Sequence, residues 1–428
     1  MSAFDSEYAI VAIHITVYLI SFAWLMWSVQ NVFASYAVTL LLGLGIGLNV
    51  YMQAYHTVIL TESLAFSLCN LLIAMLVKGW LARGIMHASA VGLVAGLMLA
   101  LRPALASYVV ILLVAVPLFN AGALSKTIRN LAAYLMSVIV VLSLESAIYF
   151  SHHSERQSLA SLTLLGKGAI LTTYADFNYP NLTAHQQSWL REIDHGLNPV
   201  QLWLESDDSF ILKTNLRSNF EVFAQYQLVD MIAAEKNISP LSDEEFGRLG
   251  MAAVWANPTL YLKSSLQHLY GLWLVQEVSF LRLAYGQKLP FFENSQLQSA
   301  LPGQQNGHAI FSVEAKSGIA LLSYLVFPAF LSLGIVSLGL AAGFWAFVGL
   351  RMLAGQLSSV SNEVLIIALL LLLGWGNLVL VAFINIATPR YLMTNMPIFI
   401  LACLLSLKLS LSAITENKGR IKFKADKH

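Results

Sequence analysis

Between Tyr8 and Thr61 the chain carries not one Asp, Glu, Lys or Arg. A soluble domain keeps roughly a quarter of its residues charged so that its surface stays wetted. Here the whole chain is 57% apolar and 11% charged. A run of ~20 apolar residues crosses a ~30 Å hydrocarbon core as a helix. Several such runs occur, so the solvent for most of this chain is lipid.

Reading the apolar runs against charged punctuation predicts spans near 8–28, 32–51, 57–77, 86–101, 105–120, 131–150, 318–346, 363–385 and 391–412. The expected fold class is an all-α membrane protein of about nine transmembrane helices with one mainly helical extracytoplasmic insert. Its divisions are an N-terminal bundle over 1–150, the insert over 151–316, a C-terminal bundle over 317–412 and a basic tail over 413–428. A re-entrant pair formed by the first two runs is the alternative, because the hop at Gln30 and Asn31 has no charge.

Short loops rich in Lys and Arg stay in the cytoplasm. Lys78, Arg83, Lys126, Arg129, Arg351, Lys408 and the tail's Lys418, Arg420, Lys422, Lys424 and Lys427 fall on one set of hops. Only Arg102 and Arg390 fall on the other. This asymmetry predicts a cytoplasmic C-terminus, an insert outside, and an N-terminus outside with Asp5 and Glu7. The localisation expected is a multi-pass protein of a bacterial inner (plasma) membrane.

The insert has the composition of ordinary folded protein and holds most of the acidic residues. From Thr259 to Tyr285 apolar and aromatic residues recur at helical spacing with polar interruptions. That pattern is too polar to span and suits an interfacial amphipathic helix near 259–285. Trp255, Tyr261, Tyr270, Trp273 and Tyr285 are the types that favour headgroups, and a buried helix of the insert is the competing reading.

Several classes have no support. A net charge of +1 offers no basis for nucleic-acid binding. Cys69 and Cys403 fall in separate apolar runs and read as small core residues. There is no basic n-region of a signal peptide, no Gly-rich nucleotide loop, no zinc-type Cys pattern and no Gly-x-Ser-x-Gly elbow. Asn181-Leu-Thr183 and Asn237-Ile-Ser239 match a glycosylation acceptor by chance expectation for an insert of this size.

Ionisable groups near spans are costly in lipid and therefore informative. Glu62 opens the third span, with His56 about one and a half turns earlier near the same face, where both could line an outer cavity. The competing reading is a helix-start acid favoured by the N-terminal dipole. Arg102 precedes Pro103, which disfavours helix before it, so a basic group stands at the outer surface. An anionic substrate group or Glu62 would supply its partner, and snorkelling is the alternative. Arg390 follows Pro389 and precedes Tyr391 at the start of the last span. Two outer arginines suggest a shared anionic ligand, because a guanidinium matches phosphate bidentately. Asp5 and Glu7 could share a divalent cation with a phosphate, or one could act as general base. Glu145 calls for a partner or a wet cavity, and His152 with His153 lacks a third metal ligand.

Leu60-Thr61-Glu62-Ser63-Leu64 opening a span, Ala95-Gly96-Leu97-Met98-Leu99-Ala100-Leu101-Arg102-Pro103 closing the next, and Pro389-Arg390-Tyr391 followed by Pro397 together resemble multi-span GT-C type glycosyltransferases. The similarity is to the mannosyltransferase and aminoarabinose-transferase superfamily, spread over about 120 residues. The resemblance implies transfer of a sugar from a polyprenyl-phosphate donor to a lipid or glycan acceptor on the extracytoplasmic face. It also implies Asp5, and less directly Glu7, as catalytic carboxylates, with Arg102 and Arg390 on the donor phosphate. His56, Glu62 and Tyr391 would line the same substrate cavity. Members have a transmembrane helix before the first outer loop, so either the true start lies upstream of Met1 or the chain is a shortened member. Metal use is open, with a divalent cation the cofactor the carboxylates would admit.

Three rival functions stand beside it. An O-antigen ligase or polymerase type protein would carry its key basic residues in the large loop. A lipid-phosphate transporter or flippase subunit would show discontinuous helices in two related halves, and no such repeat is seen. A structural assembly partner would need none of these charges.

Overall fold

The computed structural model describes residues 7–49, 52–53, 61–120, 123–152, 159–172, 182–192, 241–274, 317–384 and 389–425. Among them every regular element is helical. In order these are α1 (Glu7–Phe33), α2 (Tyr36–Gly47), α3 (Thr61–Val77), the single turn α4 (Trp80–Arg83), α5 (Ile85–Leu101), α6 (Ala106–Phe119) and α7 (Leu124–His152). There follow α8 (Leu159–Thr172), α9 over 184–192, α10 (Asp243–Ala256), α11 (Pro258–Leu274), α12 (Ser317–Leu353), α13 (Asn362–Ile384) and α14 (Pro389–Ala425).

Each of the nine apolar runs read from the sequence contributes a helix. Among the described residues, five helical stretches are long and apolar enough to cross a membrane: Ala9–Phe33, Leu124–Ser151, Ala329–Leu353, Asn362–Ile384 and Tyr391–Thr415. Four more, Tyr36–Gly47, Thr61–Val77, Ile85–Leu101 and Pro103–Phe119, are apolar but shorter. The chain is thus a helical, multi-pass membrane protein. Its outward faces carry Leu19, Ile20, Met86, Val110 and Ile148 exposed, as lipid-facing side chains must be when no water is present to reward their burial.

The chain divides into two compact units. The first comprises Met1–Ala147, Leu325–Asn377 and Met393–His428, and the second Ile148–Tyr324 with Leu378–Leu392.

In the first unit, α1 packs along α3. Its buried positions are Val11, His14, Tyr18, Ser21, Leu25 and Ser28, a 3-4-3-4-3 spacing that keeps one seam of a helix facing a neighbour. Lys78, just past α3, places its ammonium 3.5 Å from the centre of the Trp27 ring near the end of α1. The two helices therefore run parallel, and their N-terminal ends share one end of the unit. Ser35 caps α2 through its hydroxyl, and Ala34 before it turns the chain at φ 48.

Helix α5 meets α7 across Gly92 and Gly96. A Cβ on Gly92 would stand 2.4 Å from the Tyr134 carbonyl oxygen, and one on Gly96 3.1 Å from Val141 Cβ. The Gly-x-x-x-Gly spacing thus lets two backbones meet, which is how helices associate without a hydrophobic drive. The stretch Asn362–Ile384 is 67% buried, against 17% for Leu124–Ser151 and for Ala329–Leu353. It is a central helix, and the other two face lipid.

One end of this unit collects the basic residues. The Leu81 carbonyl accepts from Asn120 Nδ2 at 2.9 Å and Asn130 Nδ2 at 3.1 Å. Lys408 Nζ reaches the Phe33 carbonyl at 3.1 Å and Glu363 at 3.4 Å. Lys78, Arg83, Lys126, Arg129 and Lys408 therefore belong to the end where α1 and α3 finish.

In the second unit, α8 crosses α10 at very close range. A Cβ on Gly250 would fall 2.4 Å from the Leu164 carbonyl group, and one on Gly168 2.8 Å from Gly250 Cα. Ser242 starts α10 with a capping box: Glu245 N–H donates to its hydroxyl while the Glu245 carboxylate accepts from the Ser242 N–H at 3.0 Å. The expected amphipathic helix over 259–285 is seen as α11, and residues 275–285 lie outside the described residues. Of its aromatics, Tyr270 is exposed and Trp273 is buried.

Candidate functional site

Arg102 ends α5 because Pro103 has no N–H to continue the ladder. The backbone turns extended there (φ −149, ψ 103) and tightens into a 3-10 turn, Pro103–Leu105, before α6. Thr61 and Glu62 open α3 at the same end of the first unit. Arg102 Nη1 and Glu62 Oε1 lie 3.2 Å apart, with side-chain exposures of 7% and 2%. Of the two partners the sequence offers Arg102, the structure forms the pair with Glu62.

A buried tract of neutral polar groups extends from this turn into the bundle. Asn377 Nδ2 of α13 donates to the Ala104 carbonyl at 2.8 Å and to Ser107 Oγ at 3.0 Å. Asn395 Nδ2 of α14 donates to Asn377 Oδ1 at 2.8 Å. The Tyr108 hydroxyl of α6 donates to Asn395 Oδ1 at 2.7 Å, and Cys69 Sγ of α3 lies 4.0 Å from that hydroxyl. Four helices are joined through side chains that are all buried. In hydrocarbon each amide would lose several kcal/mol if left without a partner, so the tract fixes the rotation of each helix.

The second unit has its own buried polar cluster. Lys167 of α8 donates to the Ala382 carbonyl at 2.8 Å and lies 3.1 Å from His268 Nδ1 of α11. An ammonium against Nδ1 makes that nitrogen the acceptor and leaves the imidazole proton on Nε2. The Tyr261 hydroxyl donates to the neighbouring Phe383 carbonyl. Both carbonyls belong to the last turn of α13, where the helix dipole favours a cation.

Neither a family model, nor a curated protein, nor a solved structure matches the chain. Function must therefore be argued from these groups themselves.

The remaining expected residues are distributed as follows. Asp5 and His56 lie outside the described residues. Glu7 opens α1, hence at the end of the first unit that also holds Glu62. Arg390 is in the first turn of α14, and Tyr391 after it is 4% exposed. The side chains of Glu7 and Arg390 are outside the described set. Glu145 meets Ser146 Oγ at 3.5 Å, and Cys69 and Cys403 are free thiols. Among the described residues no group of three His, Cys, Asp or Glu is placed to hold a metal ion.

Tyr108, Asn377, Asn395, Lys167 and His268 were not singled out by the sequence reading. The signal for the asparagines was present: an amide inside a span needs a partner as a charge does, though it carries no charge to mark it.

Proposed function

We propose that the chain is a membrane glycosyltransferase that moves a sugar from a polyprenyl-phosphate donor to a lipid or glycan acceptor on the extracytoplasmic face of a bacterial inner membrane. The observation that carries this reading is the Glu62–Arg102 ion pair. It joins the start of one apolar helix to the Pro-terminated end of the next, and those are two of the three segments on which the glycosyltransferase resemblance rests. Glu7 begins α1 at the same end, as a carboxylate acting beside a donor phosphate requires.

The pair has a chemical consequence for such an enzyme. A donor phosphate reaching Arg102 replaces one anion by another on the guanidinium, so the cation is never left uncompensated. Glu62 is released in the exchange and becomes available to hold a metal ion or accept the acceptor hydroxyl's proton. Asp5 and Glu7 are the general-base candidates, and His56 is a further substrate contact. In this reading the end carrying Lys78, Arg83 and Lys408 is the cytoplasmic one by the positive-inside rule, and Glu62 and Arg102 face the outside.

The test is sugar transfer from a labelled polyprenyl-phosphate donor in vesicles containing the purified protein. Arg102→Gln is expected to abolish donor binding and transfer. Glu62→Gln is expected to keep or strengthen donor binding while transfer falls. Wild-type vesicles that neither bind nor consume any polyprenyl-phosphate sugar would reject the proposal, leaving the pair as a clamp between helices.

A further inference from the structure

Helix α11 buries Ser264, Ser265 and His268 together with Leu272 and Trp273, and His268 Nδ1 lies 3.1 Å from Lys167 Nζ. Leu262, Leu266 and Tyr270, at i, i+4 and i+8, are 47%, 51% and 50% exposed. A helix on a water-washed insert keeps its apolar stripe buried. This one leaves the stripe Leu262, Leu266 and Tyr270 outward while burying two serines and a histidine, so its outer side suits an apolar medium. Trp255, three residues before the start of α11, is 74% exposed and Met251 one turn earlier 40%.

The depth of the helix follows from what it holds. Helix α13 has 23 residues, and at ~1.5 Å rise per residue that is about 34 Å, close to the ~30 Å hydrocarbon thickness. Its last turn therefore sits at the edge of the bilayer. Tyr261 of α11 bonds the Phe383 carbonyl of that turn, and Lys167, which touches His268 of α11, bonds the Ala382 carbonyl beside it. The same end of α13 shows apolar side chains outward, Val379 at 41% and Ile384 at 53%. The exposed face of α11 is thus tied to the membrane boundary by two hydrogen-bonded contacts.

We propose that α11 lies on the bilayer surface with Leu262, Leu266 and Tyr270 set into the headgroup and upper acyl region, so that lipid is the partner of this face. Exposed Lys263, next to Leu262, meets the headgroup phosphates, and the Tyr270 hydroxyl stays in the hydrated zone. This goes beyond the glycosyltransferase reading and does not depend on it.

The experiment is nitroxide labelling of the full chain reconstituted in phosphatidylethanolamine and phosphatidylglycerol vesicles, after Cys69→Ala and Cys403→Ala. Labels are placed by Leu266→Cys, Tyr270→Cys and, for contrast, Glu244→Cys on exposed α10. Collision with oxygen is expected to exceed collision with a water-soluble nickel complex several-fold at Leu266 and Tyr270, and the order to invert at Glu244. Nickel access at Leu266 and Tyr270 equal to that at Glu244 would overturn the proposal. So would labels reached by neither reagent, because protein would then cover the face. Should the cysteine-free chain fail to fold, hydroxyl-radical footprinting of the unaltered protein in the same vesicles decides. Protection of Leu262 and Leu266 in vesicles supports the proposal, and their modification in vesicles overturns it.

Discussion

Removing Arg102 tests how the first unit is held together. At 3.2 Å the pair's attraction is about 5 kcal/mol with an effective dielectric constant of ~20. Most of that offsets the loss of hydration, since each buried ion gives up several kcal/mol of solvation. The net worth of the intact pair is therefore small, while the cost of breaking it is not. Arg102→Leu takes the guanidinium away from the Glu62 carboxylate, which is only 1% exposed, and Glu62→Gln takes the carboxylate's charge away from the guanidinium. Each single change is expected to cost about 3–5 kcal/mol. The double variant Glu62→Gln/Arg102→Leu strands no charge and is expected to recover at least half of one single loss. The assay is equilibrium unfolding in mixed micelles followed by tryptophan fluorescence, read as a double-mutant cycle. Single losses under about 1 kcal/mol, the size seen for exposed pairs, would refute the reasoning. So would a double variant that loses the sum of the two.

Three further outcomes follow from the packing and capping. Gly92→Ala drives a methyl to 2.4 Å from the Tyr134 carbonyl, so a loss of about 1–3 kcal/mol is expected, while Gly339→Ala, with nothing within 4 Å, should be neutral in the same thermal scan. Asn395→Leu removes the acceptor of Tyr108 and the donor to Asn377, and each lost interhelical hydrogen bond is expected to cost about 0.6–2 kcal/mol in micelle unfolding. The Glu245 carboxyl titrates below its ordinary value, first because the Ser242 N–H donates to it and then because the Ser242 hydroxyl does. The ionised cap is thus in place above the carboxylate's unfolded pKa and is lost as pH falls through the depressed folded value. Amide protection factors in α10, taken relative to the intrinsic exchange rate at each pH, should fall on acidification in the parent and not in Glu245→Gln.

How much of this was legible beforehand depends on the kind of interaction. The apolar runs were readable because hydropathy is additive along a chain, and each run coincides with a helix. Arg102 was readable as a charge needing a partner, with Glu62 one of two offered, because ionic groups are scarce at that end. The Asn377–Asn395–Tyr108 tract was not, since a neutral amide carries no charge to flag it and its partner depends on helix rotation. Gly92 and Gly96 show the same limit: the spacing is visible, but only the fold identifies Tyr134 and Val141 as what they admit. In α11 the helical period was legible and its orientation was not. Counting Tyr261 and Trp273 among interfacial aromatics overlooks that Lys167 needs polar company, which draws His268 and its side of the helix inward.

The two buried cations also differ in what can displace their partners. Lys167 is bound to the Ala382 carbonyl and the His268 imidazole, dipolar groups fixed by the ends of α13 and α11. An anion taking their place would have to unseat a helix end. Arg102 is bound to a carboxylate on a side chain with rotamers of its own. A phosphate there repeats the carboxylate's charge and offers the bidentate geometry a guanidinium prefers. Exchange then keeps Arg102 paired and leaves the displaced Glu62 carboxylate needing a proton or a cation. It follows that Glu62 competes with any anionic ligand of Arg102, so neutralising Glu62 should tighten a phosphate analogue's binding even as it loosens the fold. A purely structural clamp predicts weaker stability with no phosphate affinity in either form, and titration of Glu62→Gln with a short-chain polyprenyl phosphate separates the two.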